Sequence, residues 1–263
     1  MELENTQGLP TKITGLEPKT SIPAERIESA DCPRHGLTPQ RFLTCGVLGE
    51  IKQCVLCEAD RERQEKREAA RKIAVDVKEQ QGKINRALAN AMLSPRFATT
   101  TLNNWRADNP GQKAALDAAR WFLTNLSISA GLIFLGKPST GKNHLAAGIV
   151  HEVVRSGRTA LMTELRKIDR AIKESWRKDG EPESVILRRF TEPFLLVVDE
   201  VGVQRGTESE LLHLTEIIND RYNAMLPTLL LGNVSMDELH RLVGERVIER
   251  FRRADGRVVV FDW

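Results

Sequence analysis

The stretch Gly131 to Leu145, GLIFLGKPSTGKNHL, constrains this chain more than any other. Leu132, Ile133, Phe134 and Leu135 form a short unbroken apolar run, the pattern of a strand buried on both faces. Glycines and a proline then force a turn, and His144 to Val154 reads as a helix. Strand, glycine-rich turn and helix, in that order, are the setting of a phosphate-binding loop. In Gly136-Lys137-Pro138-Ser139-Thr140-Gly141-Lys142-Asn143 the glycines let the backbone curl so that its amides point inward at an anion. Lys142 adds a charge that reaches the outer phosphates, and the helix opening near His144 adds the positive end of its dipole. The pattern GxxxxGK[ST] is complete except at its last position, where Asn143 replaces the hydroxyl that ligates magnesium.

A tight strand-to-helix turn alone also produces a glycine-lysine pair, so a second feature has to agree. Phe194 to Glu200, FLLVVDE, reads as another apolar strand, and it ends in two adjacent carboxylates. Buried strands rarely end that way without a cation or a water to serve. Asp199 is expected in the magnesium shell and Glu200 against the attacking water, as in nucleotide hydrolases. The two motifs together imply a bound nucleotide with Mg2+.

The segments GKPSTGKNHLAAGI, LLVVDEVGVQ and LVGERVIER resemble the helicase-loader family of AAA+ ATPases, the DnaC group, over roughly Leu93 to Trp263. The transposition helper IstB shares much of the same ATPase core. The loader family also carries GKN, so Asn143 is what the resemblance implies. It further implies that Asn233, closing Thr228-Leu-Leu-Leu-Gly-Asn, is a first sensor orienting water near the terminal phosphate, although Gly-Asn is also turn chemistry. It places the lead-in with Phe97 and Trp105 beside the adenine, against the alternative of ordinary core aromatics. The helix Ala171 to Lys178 would touch single-stranded DNA, with Trp176 as stacking platform and Lys173 and Arg177 on phosphates. The competing reading packs Trp176 on the sheet. Arg250 is implied as a finger acting on a neighbouring subunit, with Arg246, four residues earlier on the same helical face, as the alternate. A second-sensor arginine has no matching residue. The strand order implied sets the phosphate-loop strand between the last strand and the acidic strand.

By this resemblance the chain is expected to load a DnaB-type replicative helicase onto single-stranded DNA. It would self-associate on the helicase ring, with ATP as assembly switch. The alternative is an IstB-like transposition ATPase that binds DNA and recruits a transposase.

The full 263 residues allow one ATPase domain and a smaller appendage. With 39 Lys+Arg against 36 Asp+Glu, the net charge of +3 restricts any DNA site to a local patch. No apolar run approaches bilayer-spanning length and no signal-peptide core is present, so a cytoplasmic protein without membrane contact is expected. The four cysteines, clustered between Cys32 and Cys57, point to metal in that setting. Cys32/His35 and Cys54/Cys57 are two ligand pairs of two-residue spacing, each able to aim both ligands at one tetrahedral Zn2+, with Cys45 as the alternate fourth ligand.

The expected organisation is a flexible tail over 1–30, a zinc module over 31–60, a helical linker or adaptor over 61–92, and an AAA+ domain over 93–263. In the linker, Glu58 to Lys72 reads as a solvated helix, and Ile73, Val77, Ile84, Leu88 and Ala91 share one face further on. Within the ATPase domain, strands over 132–135, 159–163, 195–199, 228–231 and 258–261 alternate with helices over 113–124, 144–154, 165–178 and 208–224. Five short buried strands interleaved with helices argue for a parallel three-layer α/β sheet.

Overall fold

The computed structural model describes residues 25–45, 49–126, 131–202, 208–253 and 256–263, with residues 44, 45 and 49 by backbone alone. Residues 1–24 of the expected tail lie outside that set, but 25–30 belong to a strand instead. Glu25–Cys32 (β1), Gly36–Cys45 (β2) and Gly49–Cys54 (β3) form an antiparallel sheet in that spatial order. Cys32 pairs with Gly36 across the first turn, where Gly36 takes φ +67°, a value that glycine adopts without Cβ strain. β3 runs directly into α1, Val55–Asn90, a single helix of 36 residues that passes through Gly82 without a break.

The chain divides after Asp76 into two compact units. The expected boundary at residue 93 is thus displaced toward the N-terminus, because Ile84, Ala87 and Leu88 of α1 pack against the larger unit's core. Upstream, Ile73 and Val77 of the same apolar face are 64% and 63% exposed.

The larger unit continues through α2 (Pro110–Thr124), β4 (Gly131–Gly136), α3 (Lys142–Arg155), β5 (Ala160–Glu164), α4 (Leu165–Ser175) and α5 (Glu183–Thr191). It ends with β6 (Leu195–Asp199), α6 (Glu208–Asn223), β7 (Thr228–Gly232), α7 (Met236–Arg253) and β8 (Arg257–Phe261). The five strands β4 to β8 are parallel, in the order β5-β6-β7-β4-β8. The phosphate-loop strand β4 does lie beside the last strand. Its other neighbour, however, is β7, and the acidic strand β6 stands one place further out, which corrects the order expected from sequence. β7 carries four consecutive buried leucine and threonine positions, and only a central place covers both of its faces.

Side chains alternate between two cores. Leu132 and Phe134 of β4 join α2 and α3 on one face, and Ile133 and Leu135 join α4 to α7 on the other. Three other differences from the expected elements have local causes. α4 ends at Ser175, three residues short, and Trp176 serves as its C-cap. α5 occupies a stretch where no helix was expected, since its start, Glu-Pro-Glu-Ser, reads as loop until Pro182 is recognised as an N-cap. α7 is broken at Gly244, whose φ of 76° and ψ of 163° separate two helical segments.

The amino ends of β6 and β7 are organised by Arg221, which is wholly buried on α6. Its guanidinium donates to the carbonyls of Phe190, Thr191, Pro193, Phe194 and Pro227 and to Thr228 Oγ1, at 2.7–3.2 Å. Burial draws its pKa down to about 9. Five carbonyl dipoles converge on the charge where a carboxylate would otherwise stand. Arg221→Ala strands these acceptors in the core and is expected to lower stability by about 3–5 kcal/mol, measurable by urea unfolding.

Candidate functional site

Parallel strands deliver their carboxyl ends to one edge of the sheet, and ligands of open α/β sheets bind there. Along this edge the loop after β4, the acids after β6 and the asparagine after β7 line one cavity of about 450 Å³. Pro138, Ser139, Gly141, Lys142, Asn143, His144, Asp199, Glu200 and Asn233 all contribute to it, as do Arg96 and Phe97.

Gly136 and Gly141 hold φ of +122° and +99°, and Ser139 holds +62°, so the loop curls over on itself. Lys142 opens α3 and is 5% exposed. Its Nζ donates to the carbonyls of Gly136 at 2.9 Å and Lys137 at 2.5 Å, and burial lowers its pKa against the opposing pull of Asp199. Thr140 Oγ1 donates back to Lys137 O, closing the loop's outer turn. Asn143 reaches across the sheet edge and donates Nδ2 to Asp199 Oδ2 at 2.5 Å. His144 Nε2 pairs with Asn104 Oδ1 at 3.1 Å, tying the helix start to the lead-in.

Glu200 takes φ +60°, which turns it off the line of β6. Its backbone N–H donates to Asp199 Oδ1 at 2.7 Å, and its carboxylate stands 3.5 Å from Arg166 Nε on α4. The Asp199 carboxylate, an oxygen ligand of the kind Mg2+ takes, is therefore adjacent to the Asn143 amide, whose nitrogen is turned toward it. Of the two lead-in aromatics, Phe97 lines the cavity, while Trp105 lies against Gly141, where a Cβ would come within 2.5 Å of its ring.

Outside the cavity the expected residues fare differently. Lys173 is engaged by Asp169 at 2.7 Å, and Asp169 also accepts from Ser209 Oγ and His213 Nδ1. Trp176 is 60% exposed, not packed on the sheet, and donates Nε1 to Glu183. Arg177 follows α4 in the exposed turn. Arg250 bonds Asn219 Oδ1 at 3.2 Å and stacks 4.6 Å over the Tyr222 ring, within its own subunit. Arg246, one turn earlier, is exposed and forms no ion pair among the described residues.

In the smaller unit Cys32, His35, Cys54 and Cys57 come together, with all four ligand atoms within 4.8 Å of one another. Cys32 Sγ is 3.6 Å from Cys57 Sγ and 3.7 Å from His35 Nδ1, and Cys57 Sγ is 3.4 Å from the same nitrogen. A tetrahedral zinc with bonds of about 2.0–2.3 Å sets its ligands roughly 3.5–3.8 Å apart, so the group fits the ion. The Thr38 hydroxyl draws the Cys54 thiol down to about 6, whereas the neighbouring Cys32 sulfur pushes Cys57 up to about 11. Three crowded sulfurs cannot all ionise without a cation among them. The side chain of Cys45, the alternate ligand, lies outside the described residues.

Sequence reasoning missed Asp60, Thr38, Arg96 and Arg166. His35 Nε2 donates to Asp60 at 3.0 Å, which fixes the tautomer that leaves Nδ1 for metal. Asp60 was findable, since it follows Cys57 by three residues on a helix and shares its face. Nothing in the sequence singles out Arg96.

One zinc per chain is expected, and Asp60→Asn should weaken it about 10–100-fold in competition with a chromogenic chelator. Chelation should make residues 25–76 protease-sensitive and leave the nucleotide cavity competent.

The family model described as IstB-like ATP binding protein matches residues 84–250. The replicative helicase loader DnaC of Escherichia coli strain K12 is 33% identical over 201 residues, covering 76% of this chain and 82% of that protein. A crystal structure of the DnaC helicase loader superposes with TM-score 0.58 at 23% identity, over 64% of this chain and all of the other. AMPPCP-bound DnaA from Aquifex aeolicus superposes with TM-score 0.55 at 23% identity, over 65% and 51%. The family model spans the phosphate loop and the paired acids described above, and with the 33% identity to DnaC it shows that the chain belongs to the IstB/DnaC-like family of AAA+ ATP-binding proteins.

Proposed function

We propose that this chain is an ATP-dependent loader that binds a replicative helicase and delivers it to single-stranded DNA. The observation that carries this reading is the likeness to a replicative helicase loader along most of that protein's length. No helix among the described residues is long and apolar enough to cross a membrane.

ATP would seat its phosphates on the amides of 136–141, with Lys142 and the α3 dipole facing them. Asp199 and Asn143 would hold Mg2+, which neutralises charge on the transferred phosphoryl group. Glu200 would orient the attacking water and take its proton, and Asn233 would align that water from β7. Asn143 bonded to Asp199 supports this assignment, because it ties the two motifs into one site before any ligand arrives.

The geometry supports exchanging the roles of the two arginines. Arg250 fixes the second segment of α7 on α6, and Arg246 projects for a neighbouring subunit. The exposed Trp176 supports a stacking contact to single-stranded DNA, with Arg177 beside it, whereas Lys173 is already neutralised by Asp169. The adaptor reading rests on Ile73 and Val77, one helical turn apart and both exposed.

Pull-down from a bacterial lysate tests the main reading. Recovery of the replicative helicase, lost in Ile73→Asp/Val77→Asp while ATP binding persists, is the expected result. Recovery of a transposase, or filaments on duplex DNA under ATP, would favour the transposition helper instead.

Subunit mixing tests the arginine. Arg246→Ala and Lys142→Ala proteins should each lose hydrolysis by roughly 10³-fold or more, and regain part of it when combined. Arg250→Ala should mainly lower the melting temperature.

A further inference from the structure

Trp263 Nε1 donates to Thr140 O at 3.2 Å, across 123 positions of the chain. Other contacts seat the indole. Its ring lies 4.8 Å from that of Phe261, which is fully buried and rests in turn on Phe134. It also lies against the first turn of α2, where a Cβ on Gly111 would come within 2.8 Å of it. The N–H is therefore held in place and directed at one carbonyl of the phosphate loop.

The peptide it holds has little steric guidance of its own. Gly141 stands at φ +99° and, lacking a Cβ, rotates at little cost, so sterics do not choose which way the Thr140–Gly141 peptide plane faces. Hydrogen bonds choose it. The neighbouring carbonyls are held from within the loop and helix: Gly136 O and Lys137 O accept from Lys142 Nζ, Lys137 O also from Thr140 Oγ1, and Gly141 O from Leu145 N–H. Thr140 O is held by Trp263. In a planar trans peptide the carbonyl and the following N–H point in opposite directions, so this bond turns the Gly141 N–H away from Trp263. A phosphate loop binds its anion through inward amides, and the carbonyls of those same peptides must then turn outward and find partners there. For the Gly141 amide that outer partner is Trp263.

We propose that Trp263 is a positioning residue for nucleotide binding, which by holding Thr140 O keeps the Gly141 amide directed at the α- and β-phosphates such a loop cradles. This rests on the reading of the cavity, which Gly141 lines, as an ATP site. The Trp105 ring also lies against Gly141, but its own N–H is engaged by Gln112 O. It restricts the space around the glycine without setting the direction of the amide.

The test is titration of ATP and ADP, each with Mg2+, into the full-length protein, its Lys142→Ala and Trp263→Phe variants, and protein carrying 3-benzothienylalanine in place of Trp263. That isostere keeps the bicyclic ring and has sulfur where the indole has N–H. It should leave the melting temperature without nucleotide at the wild-type value and weaken ATP and ADP together, about three- to tenfold, the usual worth of one hydrogen bond. Trp263→Phe should weaken both at least as much and also lower the melting temperature, since part of the ring contact goes with it. Wild-type affinity for both nucleotides in the benzothienylalanine protein overturns the proposal, and so does a loss confined to ATP. Lys142→Ala reports on the site itself. If it loses both nucleotides while the benzothienylalanine protein binds them normally, the ATP site stands and the role of Trp263 falls; if it binds both normally, the two readings fall together.

Discussion

The close approach of two strand ends is the constraint on which the nucleotide site depends. β4 and β8 run so near each other at their carboxyl ends that a Cβ on Gly136 would lie 2.2 Å from Phe261 O. Only glycine fits there, and the backbone uses the proximity. Lys137 N–H donates to Phe261 O at 3.0 Å, Lys137 Nζ donates to Asp262 O at 2.6 Å, and Trp263 Nε1 donates to Thr140 O at 3.2 Å. The loop is thus stitched along its length to residues more than a hundred positions away. Trp105 closes the other side against Gly141. A loop held in this way spends little ordering entropy on an anion, which is the physical meaning of preorganisation.

The sheet sorts its charges by end. At the carboxyl edge stand Lys142, buried against its own loop, and Asp199 and Glu200, partly open to solvent. At the amino edge stands Arg221, fully buried and saturated by carbonyls. Both edges carry cations in contact with backbone oxygens, but Arg221 is closed over by them whereas Lys142 lines a cavity. The difference lies in the loops: the turn after β4 curls away from the strand through three positive φ values, whereas the segments before β6 and β7 close directly around the guanidinium.

The cysteine and histidine cluster follows a different logic. A sheet of three short strands has little apolar surface to bury, and Ile27, Leu37 and Ile51 remain exposed on it. Units of that size hold together through metal more readily than through a core. The ligands come in two local pairs, one at the β1–β2 turn and one at the junction of β3 and α1. Pairing of β2 with β3 brings the two together, since the register sets Gln40 opposite Cys54.

Local pattern determined much of this protein in advance. The apolar run of β4, the glycines after it, the acids closing β6 and the two-residue spacing of the zinc ligands each specify geometry within a few residues, because strand burial, positive φ and tetrahedral chelation act over that range. Only the tertiary structure decided which strand separates β4 from β6, since all the central strands are equally apolar and periodicity carries no neighbour information. It alone brought Arg96 to the cavity, set Asp169 against Lys173, turned Arg250 inward onto Tyr222 and surrounded Arg221 with carbonyls. Each of those contacts joins residues on different elements, where the partner's position comes from packing of the sheet and its helices rather than from spacing along the chain.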